Sequence, residues 1–442
     1  MSERVTDALW LYFRAALHVF FREIELQGRE NVPEDGPLLL VSNHLNAFVD
    51  PLLIQLGMKR RITITAKGPL TRQPLVGTLM RLTRVIAFHR LQDRGTETGP
   101  DRLKEHLDEC GRRLEEGAAI VLFPEAKSHD DPGLRPFRHG ASRIAFDHVL
   151  KHGMASRLRL VPVGLSFEAK EHARSRALVR FGEPIDAASW VAEHPGASPA
   201  RLTAELKRRI RKLVVEHDSR REELLTRWAA RLVLASEERR PWGASTLSTS
   251  RHIRDGLRRD TVGGRALARS ILAHRRRLQR LGLGPESLHG PADLSAFARF
   301  LFKESLVLGP LAPLATWGAL QNLPPTLLTC AVTHRISRLR DMWASNAVFS
   351  SFLAYPPWYA AQTAASLALL PPPLGLLRAL AVPAAGWLAL GWWDRLNDDR
   401  LVWRACMTFL RSPGLKGELL AESEALALAL RALLPPEDER GA

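Results

Sequence analysis

The chain is poor in cysteine, and its histidines are not clustered. Its 442 residues include three cysteines and fifteen histidines, and neither residue type recurs at a spacing that is typical of a metal site. So few and so distant cysteines exclude a disulfide framework and favour a reducing compartment. Low-complexity tracts and internal repeats are also absent from the sequence. From these absences we expect neither a metal ion nor any other bound cofactor.

The composition is that of a folded protein with a strong and uneven positive charge. The formal net charge is +16, and 45% of the residues are hydrophobic, which leaves little room for disorder. Residues 201–280 hold 22 Lys or Arg against 9 Asp or Glu. Such a stretch attracts nucleic acid or anionic lipid headgroups, or forms a solvated helical face. No nucleic-acid-binding module is recognisable, so we expect an anionic membrane surface as the partner.

Short strand-like runs alternate with helical segments between residues 36 and 186. This alternation is typical of an α/β fold in which helices flank a mostly parallel sheet. Pro162 lacks an N–H donor and predicts an edge position or a strand end. Residues 7–26 carry apolar side chains at helical spacing, which predicts an amphipathic helix on a membrane or on the core. The strands are predicted at Leu38–Val41, Ile62–Thr65, Val85–Phe88, Ala119–Phe123, Leu158–Val163 and Leu178–Phe181.

The C-terminal third is different because long stretches of it carry no charge. A bilayer crossing takes roughly 20 apolar residues, and residues 347–370 are the best candidate, with 374–393 as a return segment. The prolines of the run 306–333 predict a kinked, re-entrant or buried hairpin. We expect a membrane protein that is integral through residues 306–393, with its active site on the cytoplasmic face. The competing interpretation is a soluble helical domain with a very apolar core.

These patterns divide the chain into five segments and imply no particular oligomeric state. The length is suited to two or three domains. The segments are an amphipathic N-terminal helix (1–30), an α/β domain (31–190), a basic helical region (191–300), a helical, strongly apolar, membrane-associated region (301–410) and a C-terminal helix with a tail (411–442).

The loop after the first predicted strand pairs an imidazole with a carboxylate. It runs from Asn43 to Pro51 with the sequence NHLNAFVDP. A carboxylate that holds one ring nitrogen fixes the tautomer and leaves the other nitrogen to take a proton from a hydroxyl. The sequence therefore predicts His44 as a general base that is oriented by Asp50.

A second loop with acidic and histidine side chains follows the strand predicted at Ala119–Phe123. Its sequence from Phe123 to Asp130 is FPEAKSHD. The carboxyl ends of parallel strands meet at one edge of a sheet, where α/β proteins bind their ligands. We therefore expect the two loops to form one active site at that edge.

The two loops, in this order, resemble motifs of the phospholipid/glycerol acyltransferase superfamily, Asn-His-(spacer)-Asp and Phe-Pro-Glu-Gly. The resemblance covers about residues 8–186 and extends to VPVGL at 161–165 and FGEPI at 181–185. Within this superfamily, the sequence is similar to the branch that acylates glycerol 3-phosphate or dihydroxyacetone phosphate. This resemblance implies the glycerolipid acyltransferase fold and direct attack of a hydroxyl on an acyl thioester, either acyl-CoA or acyl carrier protein. No acyl-enzyme is required, so the missing Gly-x-Ser-x-Gly elbow is no contradiction.

The resemblance also implies roles for further residues. It places a phosphate-binding arginine at Arg90, and Arg138 and Lys67 are further candidate cations for a substrate phosphate. Glu125 would lie beside the acceptor, or would brace a basic loop. Ala126 stands where the family has glycine. Because glycine permits a positive φ and close backbone approach, the alanine is expected to affect the loop geometry and the level of activity. Supporting roles are expected for Asn43, Pro124, Ser128 and Asp130.

Three functions remain open on this basis. The leading interpretation is an acyltransferase of phospholipid synthesis that acts on glycerol 3-phosphate or dihydroxyacetone phosphate. Transfer to the second hydroxyl of lysophosphatidate is the alternative within the class, because that acceptor also carries a phosphate. A catalytically inactive membrane-surface scaffold is the alternative of another class, and Ala126 is the sequence feature that favours it.

The arginine assignment makes a kinetic prediction. Arg90→Ala should raise the Michaelis constant for the phosphorylated acceptor by roughly 10-fold or more, because a charge-assisted hydrogen bond to phosphate is lost. Steady-state rates with the acceptor and the acyl donor varied in turn measure this change. A shift in the donor's constant alone would show that Arg90 has another role.

Overall fold

The structure, a computed structural model, describes residues 3–67, 86–88, 100–239, 242–259, 262–291, 293–337, 339–412 and 414–435. The chain folds into two compact units. The first unit comprises Met1–Glu216 and Arg335–Phe349, and the second comprises His217–His334 and Ser350–Ala442. The first unit therefore combines the α/β region with a short piece of the apolar C-terminal region.

The first unit contains the strands and the helices that flank them. Its elements, in chain order, are α1 (Glu3–Phe20), β1 (Phe21–Gln27), β2 (Leu38–Ser42), α2 (Val49–Leu56), β3 (Ile62–Lys67), β4 (Ile86–Phe88), α3 (Pro100–Glu115), β5 (Ala119–Leu122), α4 (Gly140–His152), β6 (Arg159–Phe167), β7 (Ser175–Phe181), β8 (Ile185–Asp186), α5 (Ala187–Glu193) and α6 (Pro199–Leu213).

The described strands form one sheet. Their order is β1-β7-β6-β2-β5-β3-β4, and the short β8 pairs with β6. Neighbouring strands are parallel, except that β6 runs antiparallel to β7 and to β8. The predicted fold class, a mostly parallel sheet with flanking helices, is therefore confirmed.

The central strands are apolar along their whole length because both faces of the sheet are covered. Every residue of β2 and β5 is buried. Leu39 and Val41 of β2 pack in one cluster with side chains of α3, α4 and α6. Leu202 and Ile210 of α6 are fully buried there, so α6 is part of the core of the first unit.

The N-terminal helix is shorter than the sequence pattern indicated. It ends at Phe20, and the chain continues as β1, which lies at the edge of the sheet and pairs in parallel with β7. The expectation of a helix over 7–26 was wrong for the last six positions. Ile24 and Leu26 alternate with glutamates, and this strand periodicity was hidden by the helical pattern that precedes it.

Pro162 was expected at an edge or at a strand end, but it lies inside β6, an interior strand. Its partner in β2 is Val41. On the other side of β6, the pairing with β8 ends at Leu160 and the pairing with β7 begins at Val163. The Pro162 carbonyl accepts a hydrogen bond from Gly182 N on this side (2.8 Å). Pro162 therefore lies at a break between two ladders, where its missing N–H is tolerated.

The second unit is helical. Its core joins apolar side chains of the basic helices to those of the last helices, including Trp228, Ile271, Phe409 and Leu419. Its elements are α7 (Arg220–Ser236), α8 (Ala244–Arg259), α9 (Gly263–Arg280), α10 (Leu294–Ile336), α11 (Trp343–Leu369), α12 (Pro372–Arg411) and α13 (Leu415–Arg431), of which the end of α10 and the start of α11 fall in the first unit.

The first apolar run lies within one continuous helix, α10, and does not form the hairpin that was one of the predicted alternatives. α10 contains four prolines, at 310, 313, 324 and 325. Proline removes the N–H that would bond to the carbonyl four residues earlier. For Pro325 that carbonyl belongs to Gln321, and it instead accepts hydrogen bonds from Trp358 Nε1 (2.9 Å) and Gln362 Nε2 (3.2 Å) of α11. Side chains of a neighbouring helix thus satisfy the backbone group that the proline leaves free.

Among the described helices, α12 alone combines the length and the apolar composition that a membrane crossing requires. Only 17% of its most apolar stretch is buried within the protein. The sequence favoured residues 347–370, most of which lie in α11, as the membrane span. The predicted return segment, 374–393, lies instead in α12, the helix that meets the requirement.

The close packing of β6 against α6 gives a testable prediction. A Cβ on Gly164 would lie 2.5 Å from Leu213 Cβ, whereas a Cβ on Gly111 in α3 would meet no atom within 4 Å. Gly164→Ala should lower the free energy of unfolding by about 1–3 kcal/mol through overpacking. Gly111→Ala should raise it by about 0.5–1 kcal/mol, because alanine favours the helix. Chemical unfolding measures both, and equal effects of the two variants would contradict this packing.

Candidate functional site

Two loops meet at the carboxyl edge of the sheet. β2 and β5 are parallel neighbours in which Val41 pairs with Leu122, so the chain leaves both strands at the same level. The loops are joined by backbone hydrogen bonding, since His129 N donates to His44 O (3.2 Å). The two loops therefore meet at this edge of the sheet, as the sequence predicted.

His44 and Asp50 form a hydrogen-bonded pair. His44 Nδ1 lies 2.9 Å from Asp50 Oδ2, and the carboxylate is fully buried while 17% of the His44 side chain is exposed. Asp50 Oδ2 also accepts the N–H groups of Leu45 (2.7 Å) and Asn46 (2.8 Å). Asp50 lies in the first turn of α2, where the helix dipole favours a negative charge. A carboxylate in this position places the proton on Nδ1 and leaves Nε2 as the proton-accepting atom.

The ring of His44 is also held from one face. It stacks on Phe123 at a centroid distance of 4.1 Å and an interplanar angle of 19°. Phe123 directly follows β5, so the second motif loop contributes to the orientation of the histidine in the first. Stacking and the Asp50 contact together fix the plane of the imidazole.

Glu125 braces the loops through backbone contacts. It is buried, its Oε2 accepts the N–H of His44 (2.6 Å), and its Oε1 accepts the N–H of Arg135 (3.0 Å). His129 Nε2 lies 3.1 Å from Glu125 Oε1 but lacks hydrogen-bond geometry. Of the two roles considered from the sequence, these contacts favour the bracing role over direct contact with an acceptor.

Lys170 is a site residue that the sequence analysis missed. It is 8% exposed, and its Nζ donates to Leu45 O (2.9 Å) in the first loop and to His129 O (2.6 Å) in the second. Asp130 lies 3.0 Å from the same Nζ. One buried ammonium group therefore joins both loops. No motif surrounds Lys170 in the sequence, because its function depends on contacts more than forty residues away.

The remaining supporting residues connect the loops to the sheet and to each other. Asn43 forms two hydrogen bonds with the backbone of Leu165 in β6, through Nδ2 (3.0 Å) and Oδ1 (2.8 Å). Pro124 is buried, and its carbonyl accepts Arg138 N (2.9 Å). Ser128 donates to Asp341 Oδ2 (2.6 Å). Asn43 thus extends the pairing of β2 with β6 beyond the last strand residue.

The three predicted phosphate-binding cations are described to different extents. Arg138 is exposed and follows the second loop, to which its backbone is bonded. Lys67 is the last residue of β3 and pairs with Phe88, so its backbone lies at the carboxyl edge of the sheet. Arg90 lies outside the described residues. These assignments stay predictions.

Ala126 has the backbone conformation that glycine adopts in such loops. Its φ is +65°, and Ala126 N donates to Phe123 O (3.0 Å) to close a tight turn. Left-handed backbone costs an alanine roughly 1–2 kcal/mol. The loop therefore keeps its geometry in spite of the alanine, at a cost in stability.

Two further features of the described residues concern metal binding and one buried thiol. There, no group of three or more His, Cys, Asp or Glu side chains is arranged to hold a metal ion. Burial raises the pKa of the Cys110 thiol to about 12, which disfavours the thiolate that nucleophilic catalysis needs.

A buried carboxylate and an oriented, partly exposed imidazole side chain together define a site that can activate a hydroxyl. It lies on a fold of the α/β class, at the edge where such folds carry their active sites. Residues 23–166 match the model of the acyltransferase family. The resemblance to acyltransferases seen in the sequence is therefore confirmed for this part of the chain.

Individual relatives match over a third to two fifths of the chain. An uncharacterized acyltransferase of Schizosaccharomyces pombe is 27% identical over 40% of this chain and 38% of its own length. Glycerol-3-phosphate O-acyltransferase 1 of Saccharomyces cerevisiae is 24% identical over 40% of this chain and 34% of its own. A 1-acyl-sn-glycerol-3-phosphate acyltransferase of Chlamydomonas reinhardtii is 30% identical over 33% of this chain and 40% of its own. This chain thus spans little more than a third of the first two relatives.

The backbone conformation of Ala126 predicts that its replacement by glycine stabilises the protein. Ala126→Gly should raise the free energy of unfolding by about 1 kcal/mol, because glycine adopts a positive φ without strain. Ala204→Gly, at an exposed position of α6, should lower it by about 1 kcal/mol. The midpoints of chemical unfolding report both changes. A loss of stability in both variants would contradict the strained turn.

Proposed function

We propose that this protein transfers a fatty acyl group from an acyl thioester to a hydroxyl of glycerol 3-phosphate or dihydroxyacetone phosphate. The donor is acyl-CoA or acyl carrier protein. The observation that carries the proposal is the His44–Asp50 pair, in which a buried carboxylate lies 2.9 Å from Nδ1 and the histidine side chain is 17% exposed. This arrangement suits a base that removes a proton from an alcohol.

The reaction is a direct transfer between two bound substrates. His44 Nε2 takes the proton of the acceptor hydroxyl as its oxygen attacks the thioester carbonyl carbon. The tetrahedral intermediate collapses with cleavage of the carbon–sulfur bond, and the imidazolium returns the proton to the departing thiolate. Asp50 stabilises the transient imidazolium and keeps the ring in place. The products are an ester and a free thiol, and no covalent enzyme intermediate forms.

Two observations support a phosphorylated acceptor: the candidate phosphate-binding cations and the names of the relatives. We assign Arg90, Arg138 and Lys67 to the acceptor phosphate, because fixed cations grip a phosphate monoester. The glycerol-3-phosphate enzyme of Saccharomyces cerevisiae supports the leading acceptor. The Chlamydomonas reinhardtii relative, named for an acylated glycerol 3-phosphate, supports lysophosphatidate as the alternative acceptor.

We also propose that the reaction takes place at a membrane. The exposed apolar surface of α12 and the excess of basic residues in 201–280 are suited to a bilayer with anionic headgroups. In this proposal the chain is integral through residues 306–393 and its active site faces the cytoplasm. The product of the acylation would then enter the bilayer at the site of its synthesis.

One assay discriminates among the proposed functions. The purified full chain is incubated with labelled palmitoyl-CoA and, in separate tubes, with glycerol 3-phosphate, dihydroxyacetone phosphate and lysophosphatidate. We expect a labelled lipid with one of the first two acceptors. Product with lysophosphatidate alone would select the alternative acceptor. Absence of product from every tube, with binding to anionic vesicles retained, would support an inactive membrane-surface scaffold.

The base assignment is tested by two matched histidine variants. His194 also stacks on an aromatic ring at 19°, and its Nδ1 lies 2.8 Å from a backbone oxygen, but it is not part of either motif loop. His44→Ala should lower kcat by about 10²–10⁴-fold because the proton acceptor is lost. His194→Ala should retain the activity of the wild type. Similar activities in the two variants, both folded by circular dichroism, would disprove the proposed role of His44.

A further inference from the structure

We propose that residues Arg335–Phe349, hereafter the brace segment, position both motif loops for catalysis through Ser345 and Asp341. The segment lies in the apolar C-terminal part of the sequence but belongs to the first unit. This inference rests on the proposed function, because it assigns to the brace segment a role in the acyl transfer carried out by His44. Neither residue contacts the reacting atoms, so both are positioning residues.

Ser345 binds the loop that carries the histidine. Its hydroxyl donates to Asn46 O (2.7 Å) and accepts the N–H of Val49 (3.0 Å). These two backbone groups also bond to each other (2.9 Å), so the hydroxyl closes a small ring of hydrogen bonds. Val49 is the residue before Asp50 and begins α2. Ser345 therefore fixes the turn that delivers the carboxylate to His44.

Asp341 binds the other loop. Its Oδ2 accepts the hydroxyl of Ser128 (2.6 Å), two residues before Asp130, which approaches Lys170. Hydrogen bonds to a carboxylate are stronger than those between neutral groups. The brace segment thus contacts the second loop as well as the first, through two residues that lie four positions apart.

The contacts are buried rather than superficial. Ser345 is 5% exposed, Asp341 is 6% exposed, and the apolar Ala344 and Val348 of the same segment are almost fully buried. Water therefore does not replace these hydrogen bonds readily, and the loss of a partner leaves buried polar groups unsatisfied. A segment nearly three hundred residues from the first loop in sequence (296 for Val49 and Ser345) is built into its support.

Rigid support of this kind contributes to catalysis through geometry. Displacement of a reacting group by about 1 Å costs on the order of 10²-fold in rate. From His44 to Val49, six backbone N–H groups and carbonyls are held by the side chains of Asp50, Lys170, Glu125 or Ser345. Of these four side chains, only Ser345 comes from outside the contiguous α/β region. The motif loops alone therefore do not contain all of the groups that hold the base.

The test uses the full chain and a matched serine. Ser350 is also a buried serine of α11, but its hydroxyl has no hydrogen-bond partner in the described part of the structure. Ser345→Ala should lower kcat about 10-fold while the Michaelis constants of donor and acceptor change little. Ser350→Ala should leave kcat unchanged. Equal kcat values for wild type and Ser345→Ala would overturn the proposal.

A second pair of variants tests the other contact. Asp341→Asn keeps an oxygen that accepts the Ser128 hydroxyl, whereas Asp341→Ala removes it. We expect kcat close to the wild type for the asparagine variant and a fall of about 10-fold for the alanine variant. Adding Ser128→Ala to Asp341→Ala should cost no further activity, since the shared contact is already lost. Fully additive losses would contradict a role through this contact.

Hydrogen exchange separates failure of this inference from failure of the proposed function. In Ser345→Ala, amides in peptides covering 43–51 should exchange faster than in the wild type, whereas in Ser350→Ala they should not. Faster exchange in a protein without acyltransferase activity would keep the brace and reject the proposed function. Unchanged exchange, together with unchanged kcat in an active enzyme, would reject the brace and keep the function.

Discussion

The site depends on one buried oxygen. Asp50 Oδ2 accepts hydrogen bonds from His44 Nδ1 and from the backbone N–H groups of Leu45 and Asn46. A buried carboxylate is costly unless it is paired in this way, and three donors together with a helix N-terminus offset that cost. The same contacts that satisfy the buried carboxylate oxygen also close the loop and orient the histidine ring. In the proposed mechanism, loop conformation and base chemistry therefore have one cause.

The other contacts of the site hold that loop in place rather than add further chemistry. Glu125 and Lys170 bond to the backbone on either side of the histidine, and Asn43 ties the end of β2 to β6. Since backbone groups are the targets, the side chains around the pair act on the shape of the loop. Such a supporting layer would keep the imidazole within the narrow geometry that the proposed proton transfer requires.

The features of the fold and of the site that could be predicted from the sequence are those that depend on residues close together in the chain. The order of strands and motifs predicted the sheet edge, and the six-residue spacing predicted the His44–Asp50 pair. Strand β1 was missed because its alternation directly follows a helical pattern, and the interior position of Pro162 depends on a break between two neighbouring strands. Lys170 and Ser345 were missed because their contacts span 125 and 296 residues. Local periodicity carries no information about contacts at that distance.

In the proposed mechanism, the charge of Asp50 makes His44 an effective base. Single-turnover acyl transfer by Asp50→Asn, measured against the wild type at saturating substrates, isolates the effect of that charge. The amide oxygen still accepts backbone N–H groups but carries no charge to stabilise an imidazolium. We expect a rate lower by about 10²-fold or more, with the protein still folded. A rate equal to that of the wild type would show that the pair is structural and that the proton goes elsewhere.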